Sequence, residues 1–219
     1  MYVAQRTVLK LHGLLKRFGP STVKKALWNR EFLTGHWDFI DDTAGDCVYQ
    51  HLEKYAAQGA VLDLGCGPGN TANEMASDAY QTYLGVDISE AALDKGRRRS
   101  AESGRGRKNR FEFGDLLSYK PTEQFDVILF RESLYHVPSN RVKGMLDRYS
   151  SYLKEGGVFI VRLVTWRGSD GKRRTRLKAM TDTIETNFKV LENHQYGQPG
   201  PTVIVFRPRQ GPENRVAGS

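Results

Sequence analysis

Cysteine is scarce in this sequence: Cys47 and Cys66 are the two in 219 residues. They do not sit at the short spacing of a metal-binding pair, so neither a disulfide framework nor a cysteine-rich zinc site is expected. Long apolar runs are also missing, and none approaches the roughly 18 residues that a membrane-spanning helix needs. The first residues, "MYVAQRTVLKLHGLLKRFG", interrupt their apolar positions with charge, unlike a secretory signal. No internal repeat and no RNA-binding signature of the RRM or KH kind is visible. Together these absences predict a reduced, cytoplasmic protein without a membrane span.

What is present is an ordinary globular balance, 39% apolar and 26% charged, with an uneven excess of base. The formal net charge is +8. Eight of the sixteen residues 95–110 and five of the seven residues 172–178 are Lys or Arg. Such runs either solvate a face or attract an anionic partner such as RNA.

Short apolar runs alternate with helix-like segments. Strand candidates are "AVLDLG" (60–65), "TYLGVD" (82–87), "RFEFG" (110–114), "FDVILF" (125–130) and "VFIVRL" (158–163). The helix candidates between them cover 71–79, 89–103 and 139–154. This alternation predicts a parallel sheet covered on both faces. "FKVLENHQY" and "PTVIVFRPR", joined by "GQPG", read as a closing antiparallel hairpin. Residues 1–45 read as helices, the first with Val8, Leu11, Leu14, Leu15 and Phe18 on one face. Ser21 is expected to cap the next helix. The expected layout is a helical cap over 1–45, a core over 46–209 and a disordered tail over 210–219.

The stretch "VLDLGCGPGN" (61–70) puts three glycines in five residues directly after the first strand. A glycine-rich turn that opens a helix lets a ligand touch the main chain. Asp87 ends the second strand, 22 residues after Gly65, where a carboxylate accepts from ribose hydroxyls. Asp115 follows the third strand, within reach of an adenine amino group. The pattern is G-x-G-x-G, not the dinucleotide G-x-G-x-x-G, and Asp63 lies inside the preceding strand. A carboxylate there suits a cationic ligand better than a pyrophosphate.

With "YLGVDIS", "FEFGDLLSY", "FDVILFRESLYHVP" and "LKEGGVFIVRL" following in order, the chain resembles the class I S-adenosylmethionine-dependent methyltransferases over about residues 55–165. The resemblance implies a three-layer Rossmann-like α/β fold. Its sheet would be mostly parallel and seven-stranded, with a C-terminal antiparallel hairpin and an N-terminal helical cap. It implies S-adenosylmethionine as cofactor and S-adenosylhomocysteine as product. Gly65, Cys66, Gly67 and Gly69 would lie against the methionine part, with Asp63 nearby and Arg131 at its border. Asp87 would hold the ribose, Ile88 would pack on the adenine, and Asp115 would take the adenine amino group beside Leu116. Asp63 has a second reading as a cap for backbone amides, and Ile88 and Leu116 as plain core.

His136, after the fourth strand, is the first candidate for a general base, on an ordinary pKa near 6.5. Tyr135 is the second. Glu132 and His136 stand four apart, but no other ligand pair accompanies them, so no metal is expected. Trp37 and Phe39 read as part of an aromatic lid, and with Glu132 and Arg173 they are the candidate acceptor contacts. The favoured acceptor is a small molecule, methylated on N or O, with a sugar, an amine and an anion all open. RNA or protein is the second reading, and a non-catalytic cofactor-binding protein the third. "RESL" stands where an enzyme acting on nucleic-acid base amino groups would carry an "NPPY"-type tetrapeptide.

Overall fold

The computed structural model describes residues 11–40, 43–164 and 171–209, apart from the side chains of Ile40 and Lys172. Val8, the tail 210–219 and the Lys172 side chain therefore lie outside the described residues.

A helical stretch at 11–18 leads into α1 (Ser21–Leu33), a 3-10 turn (Asp38–Ile40) and α2 (Val48–Ala56). Strands and helices then alternate as β1 (Ala60–Leu64), α3 (Asn70–Glu74), β2 (Thr82–Asp87), α4 (Glu90–Glu102), β3 (Asn109–Phe113) and β4 (Phe125–Arg131). After a 3-10 turn (Leu134–His136) come α5 (Ser139–Ser150), β5 (Leu153–Val164), α6 (Gly171–Asn187), β6 (Phe188–Gln195) and β7 (Pro201–Pro208). The seven strands lie in the order β3-β2-β1-β4-β5-β7-β6. β1 to β5 run parallel, and β7 pairs antiparallel with both β5 and β6. The five apolar runs, the closing hairpin and the seven-stranded count agree with the sequence.

The apolar runs reflect burial on both faces. Along β4, Ile128 and Phe130 join a core with Val142, Leu146, Met180 and Ile184 from α5 and α6. The intervening Val127 and Leu129 join a second core with Val48 and Leu52 from α2. Side chains alternate across a strand, so a strand covered on both sides has no polar face to show. The order reverses at β1, with β2 on one side and β4 on the other. The crevice at the carboxyl ends of β1 and β4 is thus the switch point where such sheets bind ligands.

Several local expectations are corrected. The helix expected at 71–79 ends at Glu74, because Arg105 donates to the carbonyls of Ala72 and Met75 and so completes the last turn from outside. The helix expected at 139–154 ends at Ser150, since Leu153 already pairs with Phe125 in the sheet. The apolar face of the first helix is not core: Leu11, Leu14 and Phe18 are 56%, 55% and 60% exposed. That helix instead sends Lys16 to Glu31 and Arg17 to the Val137 carbonyl and Ser139. Ser21 does not cap α1; Pro20 holds that position and the Ser21 hydroxyl donates to Asp115.

α1 is fastened over the sheet's carboxyl edge. Asn29 Oδ1 accepts from the Ala91 amide at 2.9 Å and the Ser89 hydroxyl at 3.2 Å, at the start of α4. Lys95 of α4 donates to Asp38 in the 3-10 turn that follows α1.

Candidate active site

Beneath α1 lies a cavity of about 610 Å³ over the ends of β1, β2 and β4. Small-molecule sites fall in this size range.

The floor is the turn after β1. Gly65 has φ +81°, and a Cβ there would meet the Ser133 Cβ at 2.5 Å. Only glycine fits both constraints. The amides of Gly65 and Cys66 donate to the Val86 carbonyl, which holds the turn beside β2. Cys66 is buried and lines the cavity, and burial pushes its thiol pKa up. Gly67 lines it too, whereas Gly69 does not. Gly69 starts α3 with φ +73°, and a Cβ there would meet Phe111 at 2.8 Å and Gly96 at 3.0 Å. Its lack of a side chain serves packing against α4 and β3.

Three carboxylates face the cavity from successive strand ends. Asp63 is 1% exposed; its Oδ2 accepts from the Tyr83 hydroxyl at 2.8 Å, while Oδ1 has no partner. Burial raises its pKa to about 6, against the pull of Tyr83, Thr71 and Arg131. Asp87 accepts from the Gly67 amide and the Ser89 amide, both at 2.9 Å, and burial raises its pKa as well. It therefore orders the glycine turn and keeps acceptor capacity on both oxygens. Asp115 lies where expected but is engaged by the lid. Lys24 and Ser21 donate to its Oδ2, and the Leu117 amide to Oδ1 at 3.0 Å. Burial works against ionisation here, but the bonds from Lys24, Leu117 and Ser21 and the Lys24 charge together outweigh it, so the pKa is lowered. Ile88 and Leu116 line the cavity between these carboxylates.

An unexpected ionic network closes the far side. Arg131 NH2 donates to Asp46 Oδ2 and Arg162 Nε to Asp46 Oδ1. Arg162 NH1 reaches Glu132 at 2.6 Å, and Arg131 NH1 reaches the Tyr49 hydroxyl at 3.0 Å. Glu132 has φ +54°, rare outside glycine, and its amide donates to the Arg162 carbonyl at 3.0 Å. Such backbone strain is found where a side chain must be aimed. Burial raises the Glu132 pKa, opposed by Arg162.

The remaining wall is aromatic. Trp28 stacks on Trp37 with ring centres 5.7 Å apart and meets His136 edge-on at 4.8 Å. Tyr135 lies 4.5 Å from His136, and Arg173 sits 4.8 Å over the Tyr135 ring. Trp37 Nε1 donates to Glu31 at 2.8 Å. Phe39 lines the mouth, 68% exposed. His136 is not an ordinary histidine. Desolvation, then the charges of Lys16, Arg173, Arg17 and Arg176, push its pKa down to about 3. Burial likewise raises the Tyr135 hydroxyl well beyond its usual range. The base expected from an unperturbed histidine is thus replaced by a neutral imidazole with little appetite for a proton.

All the sequence-derived candidates except Gly69 line this one cavity, namely Asp63, Gly65, Cys66, Gly67, Asp87, Ile88, Asp115, Leu116, Arg131, Glu132, Tyr135, His136, Trp37, Phe39 and Arg173. Sequence reading missed Lys16, Lys24, Trp28, Asp46 and Arg162, which complete it. One signal was available: two arginines at neighbouring strand ends, Arg131 beside Arg162 in the β4–β5 register, demand a counterion. Which acid supplies it depends on how α2 packs. Among the described residues no group of three or more acidic, His or Cys side chains is arranged to hold a metal. No helix among them is long and apolar enough to cross a membrane.

Residues 61–157 match the family model described as a methyltransferase domain. Over 119 residues the chain is 29% identical to the 27-O-demethylrifamycin SV methyltransferase of Amycolatopsis mediterranei, covering 51% of this chain and 44% of that protein. Over 106 residues it is 33% identical to the trans-aconitate 2-methyltransferase of Variovorax paradoxus, covering 47% and 38%. The chain thus aligns with less than half the length of these curated relatives. Among solved structures it superposes on the N-methyltransferase NodS of Bradyrhizobium japonicum, in complex with S-adenosylhomocysteine, with a TM-score of 0.62. That likeness has 18% identity and covers 84% of this chain and 97% of NodS. The fold is the Rossmann-like methyltransferase fold.

Proposed function

We propose that the protein transfers the methyl group of S-adenosylmethionine to an N or O atom of a small-molecule acceptor and releases S-adenosylhomocysteine. The observation that carries this reading is the buried Asp63 Oδ1, which lacks a partner beside Gly65 and Gly67, in one cavity with Asp87. A buried carboxylate oxygen without a donor fits a ligand that brings one, and the ammonium of the methionine part does so. Asp87 accepts from the ribose hydroxyls, and Asp115, shared with Lys24, accepts from the adenine amino group.

The cofactor supplies a methyl carbon already activated for displacement, so the chain's residues mainly orient and enclose. The Asp46–Arg131–Arg162–Glu132 network fixes the wall after β4 and β5. Trp28, Trp37 and Phe32 exclude water. His136, neutral at physiological pH, offers the acceptor a hydrogen bond and is not the proton sink. We take 1–45 as a cap on a core of 46–209, in a reducing cytoplasmic setting that the free Cys47 and Cys66 support.

A nucleic-acid acceptor is not favoured. Of the run at 95–110, Arg97, Arg99, Arg105, Lys108 and Arg110 all donate to groups of the protein itself. The test is calorimetry with S-adenosylhomocysteine and NAD, followed by methyl release over pooled acceptors. Micromolar binding of the former is expected. Binding of NAD instead overturns the proposal.

A further inference from the structure

One wall of the cavity has a charge pattern that methyl transfer alone does not require. Arg173, Tyr135, His136, Trp28 and Lys16 form an unbroken series of contacts. Arg173 sits 4.8 Å over Tyr135, Tyr135 lies 4.5 Å from His136, His136 lies 4.8 Å from Trp28, and Lys16 sits 3.6 Å over Trp28. All five line the cavity. The wall is thus aromatic in the middle and cationic at both ends.

Charges behind it have the same sign. Arg17 donates to the Val137 carbonyl and Ser139, one turn past His136. Arg176 follows Arg173 by one turn of α6. The charges acting on His136 are those of Lys16, Arg173, Arg17 and Arg176, all positive. The neighbouring acids are spoken for: Glu31 accepts from Lys16 and Trp37, and Glu132 and Asp46 accept from Arg162. Lys16, Arg17, Arg173 and Arg176 outnumber the two acids nearest this wall, Glu31 and Glu132, so the excess charge is positive and favours an oxyanion inside low-dielectric walls.

We propose that the acceptor carries an oxyanion, a carboxylate or a phosphate ester, seated beside Tyr135 and His136 between Arg173 and Lys16, with its apolar part on Trp28. The proposal rests on the methyltransferase reading above and names the substrate class for that site. Arg173 supplies a planar donor fork, and Lys16, which also bonds Glu31, supplies a second donor from the lid.

Calorimetry on protein saturated with S-adenosylhomocysteine tests this with three probes of one shape: benzoate, phenyl phosphate and benzamide. At least one anion is expected to bind tenfold or more tightly than benzamide. The stronger of the two anions distinguishes carboxylate from phosphate acceptors. Arg173→Gln is expected to remove most of that preference while leaving benzamide and S-adenosylhomocysteine affinities unchanged. Arg173→Lys is expected to retain much of it, since charge remains although the guanidinium that donates to the Val164 carbonyl at 3.2 Å is gone. Lys16→Gln is expected to weaken anion binding as well. Equal binding of benzamide and both anions, no binding of any probe, or an anion preference untouched by both neutralising variants overturns the proposal. Failure of S-adenosylhomocysteine to bind wild-type protein counts instead against the methyltransferase reading.

Discussion

Arg131 and Arg162 hold one oxygen each of the Asp46 carboxylate, both at 2.9 Å. Asp46 precedes α2, while Arg131 ends β4 and Arg162 lies beside it near the end of β5. This shared contact therefore joins the helix that covers one face of the sheet to the strand ends that carry the cavity. Asp46 is 6% exposed and the arginine side chains 11% and 16%. Removing the acid leaves two cations in poor solvent, and breaking such a pair costs more than the pair contributes. Asp46→Ala is expected to lower unfolding stability by roughly 3 kcal/mol, read from urea denaturation. Asp46→Asn is expected to cost less. A change under about 0.5 kcal/mol, typical of a surface substitution, contradicts the role assigned to the network.

The second prediction concerns Asp87, which orders the glycine turn and is proposed to hold the ribose as well. Asp87→Ala removes acceptors for the Gly67 and Ser89 amides as well as for the ligand. S-adenosylhomocysteine affinity is expected to fall by at least about 1 kcal/mol, roughly fivefold in Kd. Unchanged calorimetric affinity would remove Asp87 from the proposed site.

Ligand affinity is also expected to depend on pH through Asp63. Its pKa in the free protein is raised to about 6, so the carboxylate is largely protonated at pH 5 and ionised at pH 7. An ammonium binds the ionised form, so affinity rises as pH rises through 6. Between pH 7 and 5 the loss approaches about tenfold, one unit of proton competition. Asp63→Asn is expected to flatten this dependence and bind weakly throughout. A wild-type affinity flat from pH 5 to 7 contradicts the ammonium contact.

His136 has its pKa shifted in the other direction, yet its effect is also lost toward acid. Its folded pKa, about 3, lies below the unfolded value near 6.5. The unfolded chain therefore takes up the proton first, and stability from this residue is complete above pH 6.5 and lost as pH falls toward 3. His136→Phe is expected to reduce that acid sensitivity in denaturation curves between pH 4 and 7. Turnover is expected to show no histidine inflection between pH 6 and 9. An inflection there that vanishes in the variant would restore the general-base role.

Much of the fold was legible because parallel strands buried on both faces read as short apolar runs, and β1, β2, β4 and the buried half of β5 are such runs. The glycine-turn side of the cavity was legible for a related reason. Gly65, Gly67, Asp63 and Asp87 lie within or directly after strands, so their positions follow from the strand order. What escaped were pairings between distant segments. Nothing in "PSTVKKAL" shows that Lys24 will seek Asp115, and nothing near Asp46 shows two arginines arriving from β4 and β5. The pKa of His136 was hidden likewise, since four of its surrounding charges come from the lid and α6. The tripled glycine pattern did not show that Gly65 and Gly67 line the cavity while Gly69 packs against Phe111 and Gly96.

The basic run at 95–110 yields the last prediction. Its sequence position, ahead of the amino end of β3, places it away from the cavity, which implies that Arg97, Arg98 and Arg99 are dispensable together. The structure separates them. Arg98 is exposed, whereas Arg99 reaches across to the start of α3. Its NH1 meets Asn70 Oδ1 at 2.6 Å and the Pro68 carbonyl at 3.5 Å, and its NH2 meets Glu74 at 3.2 Å. Pro68 and Asn70 line the cavity, so Arg99 braces the glycine turn from behind. Arg98→Ala is expected to change stability by less than about 0.5 kcal/mol and to leave S-adenosylhomocysteine binding intact. Arg99→Ala is expected to cost about 1–2 kcal/mol, because it strips charge-assisted bonds from partly buried partners. It is also expected to weaken S-adenosylhomocysteine binding severalfold by loosening the turn. Thermal unfolding and calorimetry on the two variants side by side decide the matter. Identical behaviour of Arg98→Ala and Arg99→Ala would mean that the run is a solvated face after all.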